Sequence, residues 1–174
     1  GAIFTQDKAL AEKMKMISKH GQRVKYIHDV VGVNSRLDTI QAAILNVKLN
    51  YLNDYERYRN EAASYYDRVL AQIPQVKIPG RSTNSTHVFH QYTLRVENRD
   101  ELKNYLEGNG IPTMIYYPVP LHFQKAYQQP GFGEGSFPVT EKLSKTVLSL
   151  PIHTELKLEE LDFICRTIKS FYNG

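Results

Sequence analysis

Between Arg36 and Leu70 the chain contains neither Gly nor Pro, and apolar or aromatic residues recur at 37, 40, 44, 47, 51, 55, 58, 62, 66 and 69. Steps of three and four put these positions on one stripe, so the stretch predicts helix throughout, kinked or split near the Asn-rich NYLNDY. Unbroken, it would be roughly 50 Å long at about 1.5 Å per residue. A helix of that length connects two domains or lies along an interface. Its tyrosines 51, 55, 58, 65 and 66 read as packing groups rather than chemistry.

The rest alternates. AIFT at the start is strand-like, and Asp7 is a fair N-cap for a helix over 8–19 with Leu10, Met14 and Ile17 as its apolar face and Gly21 as its stop. Residues 22–34 read as an irregular loop, and 73–87 as a loop rich in Pro, Gly, Ser and Thr. VFHQYTLRVE alternates with Val88, Tyr92, Leu94 and Val96 on one face, which predicts a strand. A helix over about 99–108 stops at Asn109-Gly110, and IPTMIYY predicts a second strand. Residues 118–138 form a long surface loop. A short helix, the strand VLSLPI and a last helix with Leu158, Leu161, Ile164, Ile168 and Phe171 complete the chain. Alternating β and α units after residue 86 predict a two-layer α+β domain.

Composition changes little. The net charge of +4 is scattered, with no run resembling a nucleic-acid arm, so small acidic partners are at least as good an expectation as nucleic acid. Nothing approaches the length of a membrane span and there is no signal peptide, which makes a reducing cytoplasmic setting the default. The single Cys165 lies in an apolar helical pattern and reads as a buried, inert thiol. His87 and His90 have no Cys or carboxylate at ligand spacing, which argues against a metal site. The opening GAIFTQDKAL, without Met, reads as a piece of something longer.

One local pattern carries chemistry. In GVNSRLDTIQAAIL, Ser35 and Asp38 form an S-x-x-D capping box, which makes Arg36 the first helical residue. A cation there opposes the helix dipole by a few tenths to about 1 kcal/mol. Either Arg36 leans into solvent or pairs with an acid such as Asp38, or an anion belongs at this terminus, with Arg36 and the Asn34 amide donating to it.

GVNSRLDTIQAAIL resembles the helix-start motif of the DegT/DnrJ/EryC1/StrS sugar aminotransferases, which are fold-type-I enzymes dependent on pyridoxal phosphate. GAIFTQDKALAEKMKMISKHGQ, HQYTLRVENRDELKNYLEGNGIPTMIYYPVPLH and LSLPIHTELKLEEL resemble further family segments in order. The wording NSRLDTIQAAIL and QYTLRVENRD is similar to the branch that aminates a UDP-N-acetylglucosamine-derived 3-keto uronic acid. The resemblance implies an α/β protein: residues 1–50 as the tail of the large cofactor domain and start of the connecting helix, and 51–174 as the small α+β domain. It implies a homodimer with interfacial active sites, glutamate as amino donor and a nucleotide-sugar acceptor.

On the same basis Asn34 would reach the cofactor phosphate of the other subunit. Arg36 would meet the acidic substrate, and Tyr116, Tyr117 and His122 of YYPVPLH, with Tyr26 and His28 of KYIHD, would line the substrate side. Tyr116 departs from the His common in relatives. The Schiff-base lysine would lie upstream, since none of the thirteen lysines has a comparable context. No catalytic residue is therefore assigned, and the chain alone is expected to be inactive. The competing readings are a non-catalytic nucleotide- or protein-binding module, and a regulatory relative in which this region only mediates association. Phe89 and Tyr92 fall on opposite strand faces, which argues against a base-stacking platform.

Overall fold

The Asp7 carboxylate accepts the Leu10 backbone N–H at 3.1 Å. That cap starts helix α1, Lys8–Ile17, in the computed structural model, which describes residues 2–174. The chain divides between Tyr51 and Leu52 into two units.

In the first unit residues 2–5 form no strand, and Ile3 and Phe4 are exposed. A strand needs a ladder partner, and none of the described residues supplies one. Residues 22–34, expected to be irregular, contain a hairpin of β1, Gln22–Val24, and β2, Ile27–His28, with Val24 opposite Ile27. Its turn is Lys25-Tyr26, and Tyr26 takes φ 70° where glycine or asparagine is usual. That substitution hides the hairpin from turn rules.

The expected long helix is broken at the predicted place, into α2, Thr39–Leu49, and α3, Leu52–Leu70. Its start differs from the expectation. Asp38, not Ser35, is the N-cap, and the Gln41 side-chain carbonyl accepts the Asp38 backbone N–H at 3.4 Å. Neither α1 nor α2 buries a residue. On α2, Ile40, Ile44 and Val47 lie on one side and Leu45 and Leu49 on the other, and all five are exposed.

The second unit has its own core. A three-stranded antiparallel sheet in the order β3, Val76–Lys77, β4, Tyr92–Val96, and β5, Val147–Leu150, is covered by α3, α4, Arg99–Gly108, and α6, Leu158–Asn173. Tyr92 and Leu94 pair with Leu150 and Leu148, so alternate residues of both strands face the helices. They meet Tyr66 and Leu70, Leu102 and Leu106, and Ile164, Cys165 and Ile168. Each fully buried aliphatic side chain there contributes about 2 kcal/mol. Tyr66 donates to Pro151 O at 2.9 Å and Tyr92 to Asp67 Oδ1 at 2.7 Å, which satisfies both buried hydroxyls.

Three expectations change here. β4 starts at Tyr92, because Phe89 turns the chain at φ 46°. Phe89 and Tyr92 are consequently both buried, with ring centroids 6.1 Å apart, rather than on opposite faces. IPTMIYY forms only one antiparallel bridge, Met114 to Ser149, since Pro112 has no N–H to donate and the chain turns away before Pro118. Arg59 braces the sheet edge by donating to Phe89 O at 3.1 Å and Ile152 O at 2.9 Å.

Candidate functional site

Asn34 is held from below by backbone. It forms an antiparallel bridge with Lys19, Val33 N–H donates to Ile17 O at 2.8 Å, and Ser35 N–H donates to Ser18 O at 3.0 Å. The segment can lie this close because Gly32 crosses Gly21 without a side chain. A Cβ on Gly32 would sit 2.1 Å from Gly21 N, and one on Gly21 would sit 1.7 Å from Val30 O. Gly21 also has φ 76°, which L residues avoid.

On this platform Arg36 Nε–H donates to Asn34 Oδ1 at 3.1 Å. A carbonyl oxygen facing the arginine leaves both Asn34 Nδ2 hydrogens aimed elsewhere. Both residues are exposed. Among the described residues Arg36 makes no ion pair. Arg36 is therefore solvent-exposed and bonded to Asn34 rather than to Asp38, and it lies three residues before α2, outside the first turn where the dipole acts. The pair offers guanidinium and amide N–H groups side by side, a combination that suits a phosphate or carboxylate.

Tyr26 and His28 sit on the same unit's hairpin. Tyr26 is 77% exposed, with Lys25 Nζ 4.9 Å from its ring centroid. His28 Nδ1–H donates to His20 O at 2.8 Å, which leaves Nε2 to accept from the Gln22 amide at 3.2 Å. A substrate reaching either nitrogen would displace one of these bonds. Arg23 and Asp29 brace the hairpin with an ion pair at 3.0 Å.

In the second unit Tyr116 and Tyr117 are exposed, with rings edge-on at 5.8 Å between centroids. His122 differs. It lies in a 3-10 turn, Leu121–Phe123, with its ring 4.1 Å from Phe123 and 4.9 Å from Phe137 by centroid. Its side chain is 8% exposed.

Its partner is Glu141, which sequence reasoning missed. Glu141 stands in the first turn of α5, Pro138–Thr146. It accepts from Gly135 N at 3.0 Å, Phe137 N at 3.1 Å and His122 Nε2 at 3.1 Å. The Gly135 N–H bond above all, then those from Phe137 and His122, holds its carboxyl below the usual range against the opposing effect of burial. An acidic residue three positions after a helix-initiating proline was the available signal. Among the described residues no group of three or more His, Cys, Asp and Glu could hold a metal. No helix there is long and apolar enough to cross a membrane.

The mixed helix-and-sheet architecture matches solved structures of fold-type-I aminotransferases. S. venezuelae DesV superimposes with TM-score 0.92 at 36% identity, over 98% of this chain and 46% of that one. NtdA from Bacillus subtilis, solved with bound cofactor PMP, does so with TM-score 0.86 at 28% identity, over 98% and 41%.

The chain belongs to the DegT/DnrJ/EryC1/StrS aminotransferase family, which it matches over residues 1–169. It is 45% identical to a pleiotropic regulatory protein of Geobacillus stearothermophilus, over 99% of this chain and 47% of that protein. It is 39% identical to the UDP-2-acetamido-2-deoxy-3-oxo-D-glucuronate aminotransferase of Pseudomonas aeruginosa, over 97% and 46%. The chain thus spans about half the length of these relatives.

Family members depend on pyridoxal phosphate. The Asn34–Arg36 pair fits the phosphate of that group, since it presents donors and no competing carboxylate.

Proposed function

We propose that this chain is the carboxyl-terminal portion of a cytoplasmic, pyridoxal-phosphate-dependent nucleotide-sugar aminotransferase. The intact protein would convert glutamate and a keto-sugar nucleotide into 2-oxoglutarate and the amino-sugar nucleotide. The acceptor would be a UDP-linked 3-keto sugar acid, a reading supported by the similarity to the Pseudomonas aminotransferase. The observation that carries the proposal is the Asn34–Arg36 pair on its two-glycine platform.

Bound pyridoxal phosphate supplies an electron sink for moving the amino group. This chain's residues bind and orient. Asn34 Nδ2 would donate to the cofactor phosphate held by the partner subunit, and the Arg36 guanidinium would meet a carboxylate or phosphate of the sugar nucleotide. By the family resemblance, Tyr26 and His28 in the first unit, and separately Tyr116, Tyr117 and His122 in the second, would be acceptor-side groups. The Schiff-base lysine comes from the preceding half, so the 174-residue chain alone is inactive. A homodimer is consistent with α2, whose exposed apolar residues on two opposite sides call for cover that the described residues do not supply.

The test is to express the longer protein, reduce it with borohydride and assay glutamate against a panel of 3-keto and 4-keto sugar nucleotides. A reduced cofactor adduct with turnover of the 3-keto acid is the expected result. Turnover of 4-keto substrates alone would remove the acceptor assignment, and no adduct would remove the enzyme. The name of the Geobacillus relative favours a second, regulatory reading, which the no-adduct outcome would support.

A further inference from the structure

His122 and Glu141 form a directional pair whose second end is open. An ionised carboxylate only accepts, so the hydrogen between them sits on His122 Nε2. Glu141 is itself fixed by Gly135 and Phe137 N–H groups, and His122 is held between the Phe123 and Phe137 rings, so neither is free to turn. In the neutral imidazole Nδ1 must then be the acceptor. Among the described residues the one buried side-chain polar atom without a partner is Thr113 Oγ1. Nδ1 of His122 has no protein partner either, so it reaches solvent.

We infer that Glu141 is a positioning residue that locks His122 in the Nε2–H tautomer and thereby presents Nδ1 as a hydrogen-bond acceptor for a hydroxyl of the sugar acceptor. The inference rests on the aminotransferase reading above and deepens it. Glutamate, the amino donor, carries no hydroxyl, so the contact would discriminate between the two substrates of the reaction. A hydrogen bond of this kind reads as about tenfold or less in apparent affinity.

Two measurements test it. Long-range 15N correlation NMR on the wild-type chain reads the tautomer without any substitution; an Nδ1–H ring would overturn the proposal. In the longer enzyme, Glu141→Ala removes the acceptor that holds the hydrogen on Nε2 and so removes the bias. KM for the keto-sugar nucleotide should rise about tenfold while the half-reaction with glutamate keeps its rate. Unchanged KM in an active enzyme overturns the acceptor role and leaves the functional reading standing. A wild-type enzyme active in neither half-reaction overturns both, and the NMR result then describes only the pair.

Discussion

Arg36 Nε sits 3.1 Å from Asn34 Oδ1, two residues away along the chain. The contact decides which way the carboxamide faces. An asparagine amide presents acceptor or donors depending on one rotation, and the arginine fixes that rotation with the donors outward.

Loss of either member should therefore weaken cofactor binding by more than its own contact. In the longer enzyme Arg36→Ala and Asn34→Ala should each lower pyridoxal phosphate affinity, followed by the cofactor's absorbance. The double mutant should fall short of the sum by about 0.5–1.5 kcal/mol. Arg36→Lys should fail to restore the wild type, since an ammonium lacks the planar fork. Strict additivity would mean the two residues act separately.

Gly32→Ala should destabilise the first unit by about 3 kcal/mol, because its Cβ would meet the Gly21 nitrogen and the His20 and Ile17 backbone, none of which is a flexible side-chain tip. Gly80→Ala and Gly133→Ala, with open space at both positions, should change stability by less than about 0.5 kcal/mol. Denaturant melts of the three variants compare them directly.

Glu141 predicts an acid limb of the stability curve. Its folded-state carboxyl lies below the ordinary 4.5, so the stabilisation is fully present above that value and is lost as pH falls through the folded value. Thermal melts between pH 7 and pH 3 should fall less steeply for Glu141→Gln than for the wild type. Parallel curves would show that the carboxylate is not linked to folding.

Burial pushes the Cys165 thiol up to about 12, with Asp162 adding to the shift. A thiol reagent at neutral pH should leave the native chain unlabelled for as long as it stays folded, and should label it stoichiometrically in denaturant. Rapid native labelling would mean that α6 opens readily.

Periodicity found most of the helices because their stripes are set by local spacing. Leu161, Ile164 and Ile168 repeat at helical intervals and are all buried, and the α2–α3 break falls where the Asn-rich run predicted it. The short strands escaped. β3 and β2 have two residues each, too few to show alternation, and they exist only because a partner strand is present.

The site was half legible. GVN and the following Arg marked the pair, but the capping box pointed to Ser35 when Asp38 and Gln41 make it. Both pairs have the right spacing, and only the backbone around residue 36 decides between them. For Glu141 the sequence carried only a helix-start signal and not its role, because its partners Gly135, Phe137 and His122 are brought together by the folding of the 118–138 loop.

The crossing of Gly21 and Gly32 closes the base of the loop formed by residues 22–31. Everything between those glycines, Tyr26 and His28 included, is a detachable tip, while Asn34 and Arg36 lie beyond the closure. The tip should therefore be exchangeable among relatives as a cassette. Grafting a foreign 22–31 segment would change what the hairpin offers a substrate and leave the anion-facing pair where it is.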